Sequence, residues 1–254
     1  MKKLLITIAV IVLLGCGESQ ELTPTPEGTP VEPVAKVSTP EPPTAKAPDI
    51  SIDEAAASGN IEAVRQHIAA GTDVNIKDDD GFTALYFAAQ EGQKEITELL
   101  IEKGADVNVK LESQTAKELG MGGATPLRGA VANDHKEMAE LLIAKGADVN
   151  VKEDLGATLL HFANIREIAE LLIAKGLDVN AKCDDGRIPL HDAAEMGSKE
   201  VAELFIAKGA DVNTMSNKGE TPLDWAIEEG HTETADLLRK HGGKRGKELK
   251  AAGN

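Results

Sequence analysis

Apolar positions return along most of this chain with helical spacing. The stretches E-I-T-E-L-L-I at 95–101, M-A-E-L-L-I at 138–143, I-A-E-L-L-I at 168–173 and V-A-E-L-F-I at 201–206 place apolar residues at i, i+3 and i+4. Each predicts a helix with one buried stripe and a polar back. Gly104, Gly146, Gly176 and Gly209 follow these stripes, where glycine supplies the left-handed residue that ends a helix. A second apolar element occurs five times. It reads T-A-L-Y from Thr83, T-P-L-R from Thr125, T-L-L-H from Thr158, I-P-L-H from Ile188 and T-P-L-D from Thr221. Threonine is a good N-cap, and proline suits the first helical position. The pattern predicts pairs of short helices.

The pairs are an internal repeat. G-x-D-V-N begins at Gly71, Gly104, Gly146, Gly176 and Gly209, with spacings of 33, 42, 30 and 33 residues. The second element starts eight residues after the Asn in four cases, and 17 residues after Asn108. A nine-residue insertion therefore lies around residues 111–119, where a loop tip is expected. A binding element and neutral length drift account for it equally well. The third full unit is three residues short, because Asn164-Ile165-Arg166 replaces a longer connector. A tighter turn between its helices is expected.

From about residue 51 to 244 these phrases resemble the ankyrin repeat family. The resemblance implies an all-α solenoid of paired antiparallel helices with β-turn loops. Residues 52–70 look like a polar cap unit without its opening half, and about five repeats follow. Residues 245–254 are expected to be a disordered tail. The resemblance also implies a protein-binding role, carried by the loop tips and the exposed side of each first helix. Those positions are Asp79, Asp80, Phe82, Gln90 and Glu91, then Ala124, Ala132 and Asn133, then Asp154, Leu155 and Ala157. They continue with Asp184, Asp185, Arg187, Glu195 and Met196, and end with Asn217, Lys218, Glu220, Glu228 and Glu229. The set is largely acidic. It suits a partner that presents Lys and Arg, and it equally suits plain solubility.

The N-terminus follows other rules. Lys2 and Lys3 precede an apolar run from Leu4 to Leu14, broken only by Thr7. A bilayer span needs about 20 apolar residues, so this run fits a secretory signal instead. Its end, Leu13-Leu14-Gly15-Cys16, resembles the bacterial lipobox, which implies cleavage before Cys16 and fatty acylation of that cysteine, palmitate included. Residues 16–50 hold eight of the eleven prolines and no apolar period, which predicts an unfolded tether. The expected location is the bacterial cell envelope, lipid-anchored and outside the cytoplasm, facing the periplasm or the surface.

Composition narrows the function. Aromatic residues are only 2% of the chain, so the core must be built from Ala, Leu, Ile and Val. A formal net charge of −16 repels phosphates and disfavours nucleic acid as a partner. A monomer is expected, without cofactor or bound metal. His161 and His191 fill the fourth place of the second element, where the ring is expected to bond nearby backbone. Cys183 has no neighbouring His or CxxC, and Asp78-Asp79-Asp80 lacks the spacing of a calcium loop. No phosphate loop, G-x-S-x-G or H-E-x-x-H is present. The reading is a membrane-tethered protein-binding module rather than an enzyme. The alternative is an accessory or regulatory subunit of an envelope enzyme, or a secreted factor that binds host proteins.

Overall fold

The computed structural model describes residues 47–118 and 120–253. Residues 1–46, which hold the expected signal segment, Cys16 and most of the expected tether, lie outside the described residues. Every regular element described is helical, apart from one isolated bridge between Lys77 and Thr83.

The cap unit has two helices, α1 (Ile52–Ala57) and α2 (Ile61–Ala69). It does not lack its opening half, as the sequence suggested. Ser51 replaces the Thr-Pro signal, and its hydroxyl accepts from the Glu54 N–H at 3.3 Å. The first repeat pairs α3 (Ala84–Gln90) with α4 (Lys94–Glu102). After a short α5 (Gln114–Glu118), the second pairs α6 (Pro126–Ala132) with α7 (Lys136–Ala144). In the third, a single 3₁₀ turn (Leu159–Phe162) precedes α8 (Arg166–Ala174). The fourth pairs α9 (Pro189–Glu195) with α10 (Lys199–Ala207), and the fifth α11 (Pro222–Glu228) with α12 (Thr232–Lys240).

The stack forms because each stripe needs a neighbour to bury it. Leu100, Leu142, Leu172 and Phe205, one per second helix, are fully buried. Alanines such as Ala88, Ala130 and Ala194 let first helices pack closely. The Asn of G-x-D-V-N ties units together. Asn180 donates to the Gly209 carbonyl at 2.9 Å and accepts from the Asp211 N–H at 3.0 Å. Asn75, Asn108 and Asn213 make the same pair of bonds to the following unit. Asn150 does not, among the described residues, and it stands just before the shortened third unit.

Two departures from the sequence reading have clear causes. Residues 246–251 are not a disordered tail; they form helix α13 (Gly246–Ala251). Asp224 occupies the place that His161 and His191 hold in earlier repeats, and it captures this segment. Its carboxylate accepts from Gly246 N–H at 2.6 Å and from Arg245 Nε at 2.7 Å. Leu249 is buried beneath. The insertion is also folded. Leu111 and Ala116 pack with Tyr86 and Ala124 in a small core of their own, with Phe82 and Met121 beside it.

Candidate interaction surface

Between helix pairs the chain runs out to turn tips, and neighbouring tips are bonded to one another. The Ser113 hydroxyl donates to the Asp80 carbonyl. The Asp154 N–H donates to the Gly122 carbonyl at 2.9 Å, and the Asp184 N–H to the Leu155 carbonyl at 2.9 Å. The Asn217 N–H donates to the Asp185 carbonyl at 2.7 Å. The approach is close. A Cβ on Gly156, at φ +73°, would stand 2.7 Å from Asp184 Oδ1. Because these backbone groups are satisfied within the row, Asp79, Asp80, Asp154 and Asp184 leave their carboxylates exposed along it.

The first helices sit behind the tips. Thr83 and Thr125 cap α3 and α6 by accepting the N–H three residues on, at 3.3 Å each. In the third and fourth repeats a histidine closes the cap. His161 Nδ1 accepts from the Thr158 N–H at 3.1 Å, and His191 Nδ1 from the Ile188 N–H at 3.1 Å. His191 Nε2 also meets the Glu220 carbonyl at 3.3 Å, in the next unit. His161 Nε2 faces the Arg187 carbonyl without reaching hydrogen-bond geometry. Burial lowers both rings to a pKa of about 4, so both are neutral near pH 7.

Two arginines bridge units on this side. Arg128 pairs with Glu153 at 3.0 Å and lies over the Phe162 ring, 4.5 Å from its centroid. Arg187 bonds Asp185 Oδ2 at 2.8 Å and Asp192 Oδ1 at 2.7 Å, with Glu195 at 3.8 Å, and stacks on Trp225 at 5.3 Å. Stacking of this kind adds about 0.5–2 kcal/mol per pair. Burial pushes the Asp192 carboxyl up to about 7 despite Arg187, helped by Glu195 and Asp185. Burial likewise raises the Cys183 thiol to about 11, and Cys183 Sγ donates to Asp185 at 2.8 Å. Such a thiol carries almost no thiolate, which leaves it a poor nucleophile.

The structure sorts the positions read from sequence. Asp79, Asp80, Glu91, Asp154, Asp184, Lys218 and Glu228 are exposed, as a contact surface needs. Met196 is 59% exposed and Leu155 62%. Phe82 is half-buried and stacks on Tyr86 at 5.0 Å and Phe87 at 5.3 Å, so its ring supports the insertion. Gln90 and Glu220 are half-buried; Gln90 bonds Glu91 at 3.1 Å, and the Glu220 carbonyl accepts from Ser216 N–H at 2.9 Å. Arg187 is held by three carboxylates, Glu195 among them, and is an organising residue rather than a loose contact.

A concave pocket of about 420 Å³ opens between the turn tips and the starts of the first helical elements of the third and fourth repeats. It brings together Leu155, Ala157, Asp184, Asp185, Arg187 and Asn217, which the sequence reading placed on the surface. It adds Glu153, His161, Phe162, Cys183 and Asp192, which that reading missed as surface positions. The available signal was the fifth place of the second element. That column reads Phe87, Gly129, Phe162, Asp192 and Trp225, and Asp192 is its one charge.

The ankyrin repeat profile, described as ankyrin repeats in three copies, matches residues 52–153 and 159–248, well over half of the chain. The chain belongs to the ankyrin repeat family. This array is 41% identical over 73 residues to protein phosphatase 1 regulatory subunit 12A of Mus musculus, covering 28% of this chain and 7% of that protein. It is 38% identical over 56 residues to protein phosphatase 1 regulatory subunit 27 of Homo sapiens, covering 22% and 36%. It is 42% identical over 52 residues to serine/threonine-protein kinase 12 of Arabidopsis thaliana, covering 20% and 11%. The matched stretches thus span between 7% and 36% of the length of these relatives. Ankyrin repeats mediate protein–protein interaction, and a protein partner is what this surface indicates.

Proposed function

We infer that this ankyrin array is a membrane-tethered module outside the cytoplasm that binds a partner protein with a basic surface, and that it performs no catalysis itself. The observation that supports this most is the row of bonded turn tips with Asp79, Asp80, Asp154 and Asp184 exposed along it. A rigid row of like charge steers an oppositely charged partner and costs little ordering on contact. The lipid anchor is Cys16, with residues 17–50 as the spacer and a monomer as the working form. Multiple acyl chains on one residue hold a protein stably at a bilayer, where one chain alone is marginal. Cys16→Ala is expected to move the chain from the membrane to the soluble fraction. A variant that stays with the membrane would remove the anchor from this account.

The test of partner binding is capture from solubilised envelope with the full chain as bait, at low and at high salt. One protein retained at low salt and released at high salt supports a charge-guided interaction. Capture of no specific protein at either salt contradicts it. A second reading makes the array a regulatory subunit of an enzyme. It is favoured by the likeness to two phosphatase regulatory subunits over the repeats. The captured protein is then an enzyme whose rate changes when the array is added.

A further inference from the structure

The pocket at the third and fourth repeats is more than a dent in the row. Glu153, Asp184, Asp185 and Asp192 line it; Glu153 is paired with Arg128, and Asp185 and Asp192 with Arg187, so Asp184 is the one of the four without an ion pair among the described residues. One side is apolar: Leu155, 62% exposed, stands beside Phe162. One buried polar atom on the floor, Oδ2 of Asp192, lacks a hydrogen-bond partner, while Nε2 of His161 is directed at the Arg187 carbonyl. His161 is 7% exposed, and its Nδ1 accepts from the Thr158 N–H, so Nε2 carries the proton and is a donor. The site therefore offers an unpaired carboxylate at the mouth, an unpartnered carboxyl oxygen on the floor and an apolar wall.

We propose that this pocket is the anchor point for one Lys or Arg side chain of the partner protein. The stem of the guest lies along Leu155 and Phe162, as long basic side chains do on apolar surface. Its cationic head meets Asp184 at the mouth and gives Asp192 Oδ2 the donor it lacks. A rotamer adjustment of Arg187, whose side chain is 25% exposed, opens the way to that oxygen. An acidic peptide has no place here, because Asp184 faces it without an ion pair and the two nearby guanidiniums are already held by carboxylates. Leu155 and Asp184 contribute through the bonded tips, so the mouth of the pocket is pre-formed and Arg187 is the side chain that readjusts on entry. The inference rests on the reading of a basic partner, and assigns that partner its central contact.

The probe is N-acetyl-arginine methylamide, with the citrulline counterpart as a neutral control of the same shape. Both are titrated into the full chain and followed by NMR. The expected result is a set of shifts centred on Leu155, Phe162 and His161, with arginine bound at least tenfold tighter than citrulline. Asp192→Asn and Asp184→Asn are each expected to reduce that preference severalfold; Asp184 is exposed and leaves the Arg187–Asp192 pair intact. Ala157→Trp fills the pocket and is expected to abolish the shifts. Equal affinity for arginine and citrulline, shifts centred elsewhere, or no shifts at all would overturn the proposal. A basic partner captured equally well by wild type and by Ala157→Trp would also overturn it, while leaving the wider reading of a protein-binding surface in place.

Discussion

The third and fourth repeats share almost the same second helix, R-E-I-A-E-L-L-I-A at 166–174 and K-E-V-A-E-L-F-I-A at 199–207, and differ in the first. The fourth has a seven-residue α9, closed by Gly197 at φ +70°. The third has one 3₁₀ turn, after which Ala163 is already extended. Three missing residues leave no chain to complete a second turn. The stack survives because Leu160, Ile168 and Leu172 still bury fully. The second helices hold the solenoid together, and the first helices set its surface. Shortening one first helix leaves the core intact.

Several substitutions sharpen or break this contrast. The largest effects come from matched core truncations. Leu190→Ala in α9 is expected to cost about 3–5 kcal/mol, and Leu160→Ala about 2–3 kcal/mol, because a single 3₁₀ turn relaxes around the gap more readily than a complete helix. Urea unfolding of both variants measures the gap. Equal costs would mean that the 3₁₀ turn is as tightly packed as α9.

The acid response comes next. His161 and His191 have folded pKa values near 4, against about 6.5 when unfolded. Their stabilisation is complete above pH 6.5 and is lost as pH falls toward 4. Asp192, present only in the fourth repeat, acts the other way. Its folded pKa of about 7 lies above the unfolded value, so its contribution is present below about pH 4 and is lost as pH rises to 7. The array is expected to lose stability between pH 7 and 5, and Asp192→Asn should deepen that loss by about 2 kcal/mol. A variant with an unchanged or shallower acid slope would show that Asp192 is ionised throughout.

Smaller effects follow at the joints. Asn180→Ala removes two bonds to the next unit and is expected to cost about 1–2 kcal/mol; Asn150→Ala should be nearly neutral. Asp134 has φ +62° where the fourth repeat has Gly197. Asp134→Gly is expected to add about 0.5 kcal/mol by relieving the left-handed backbone, less what glycine loses to unfolded-state entropy. Thermal melts separate these cases.

Most of this fold was legible in the sequence because its signals are local. Threonine caps, apolar stripes and Gly104, Gly146, Gly176 and Gly209 each act within a few residues, and all four glycines have positive φ. What escaped was long-range. Capture of α13 depends on Asp224 meeting Arg245 and Gly246 across more than 20 residues. The pocket depends on the tip of one unit meeting Arg187 and Asp192 of the next. Arg187 looked like a surface contact because its partners Asp185 and Asp192 stand on either side of it, and only the folded loop shows that both hold it. Comparing the five repeats column by column, instead of reading each alone, would have singled out Asp192.

The most direct measurement is site-specific photocrosslinking in the native envelope. A photoreactive residue is placed at Asp80, Leu155 or Asp184 on the tips, or at Glu140, Glu170 or Glu203 on the exposed backs of the second helices. The account predicts that tip positions capture one protein, most strongly from Leu155, and that the second-helix positions capture none. Capture from the second helices, with silence at the tips, would contradict it.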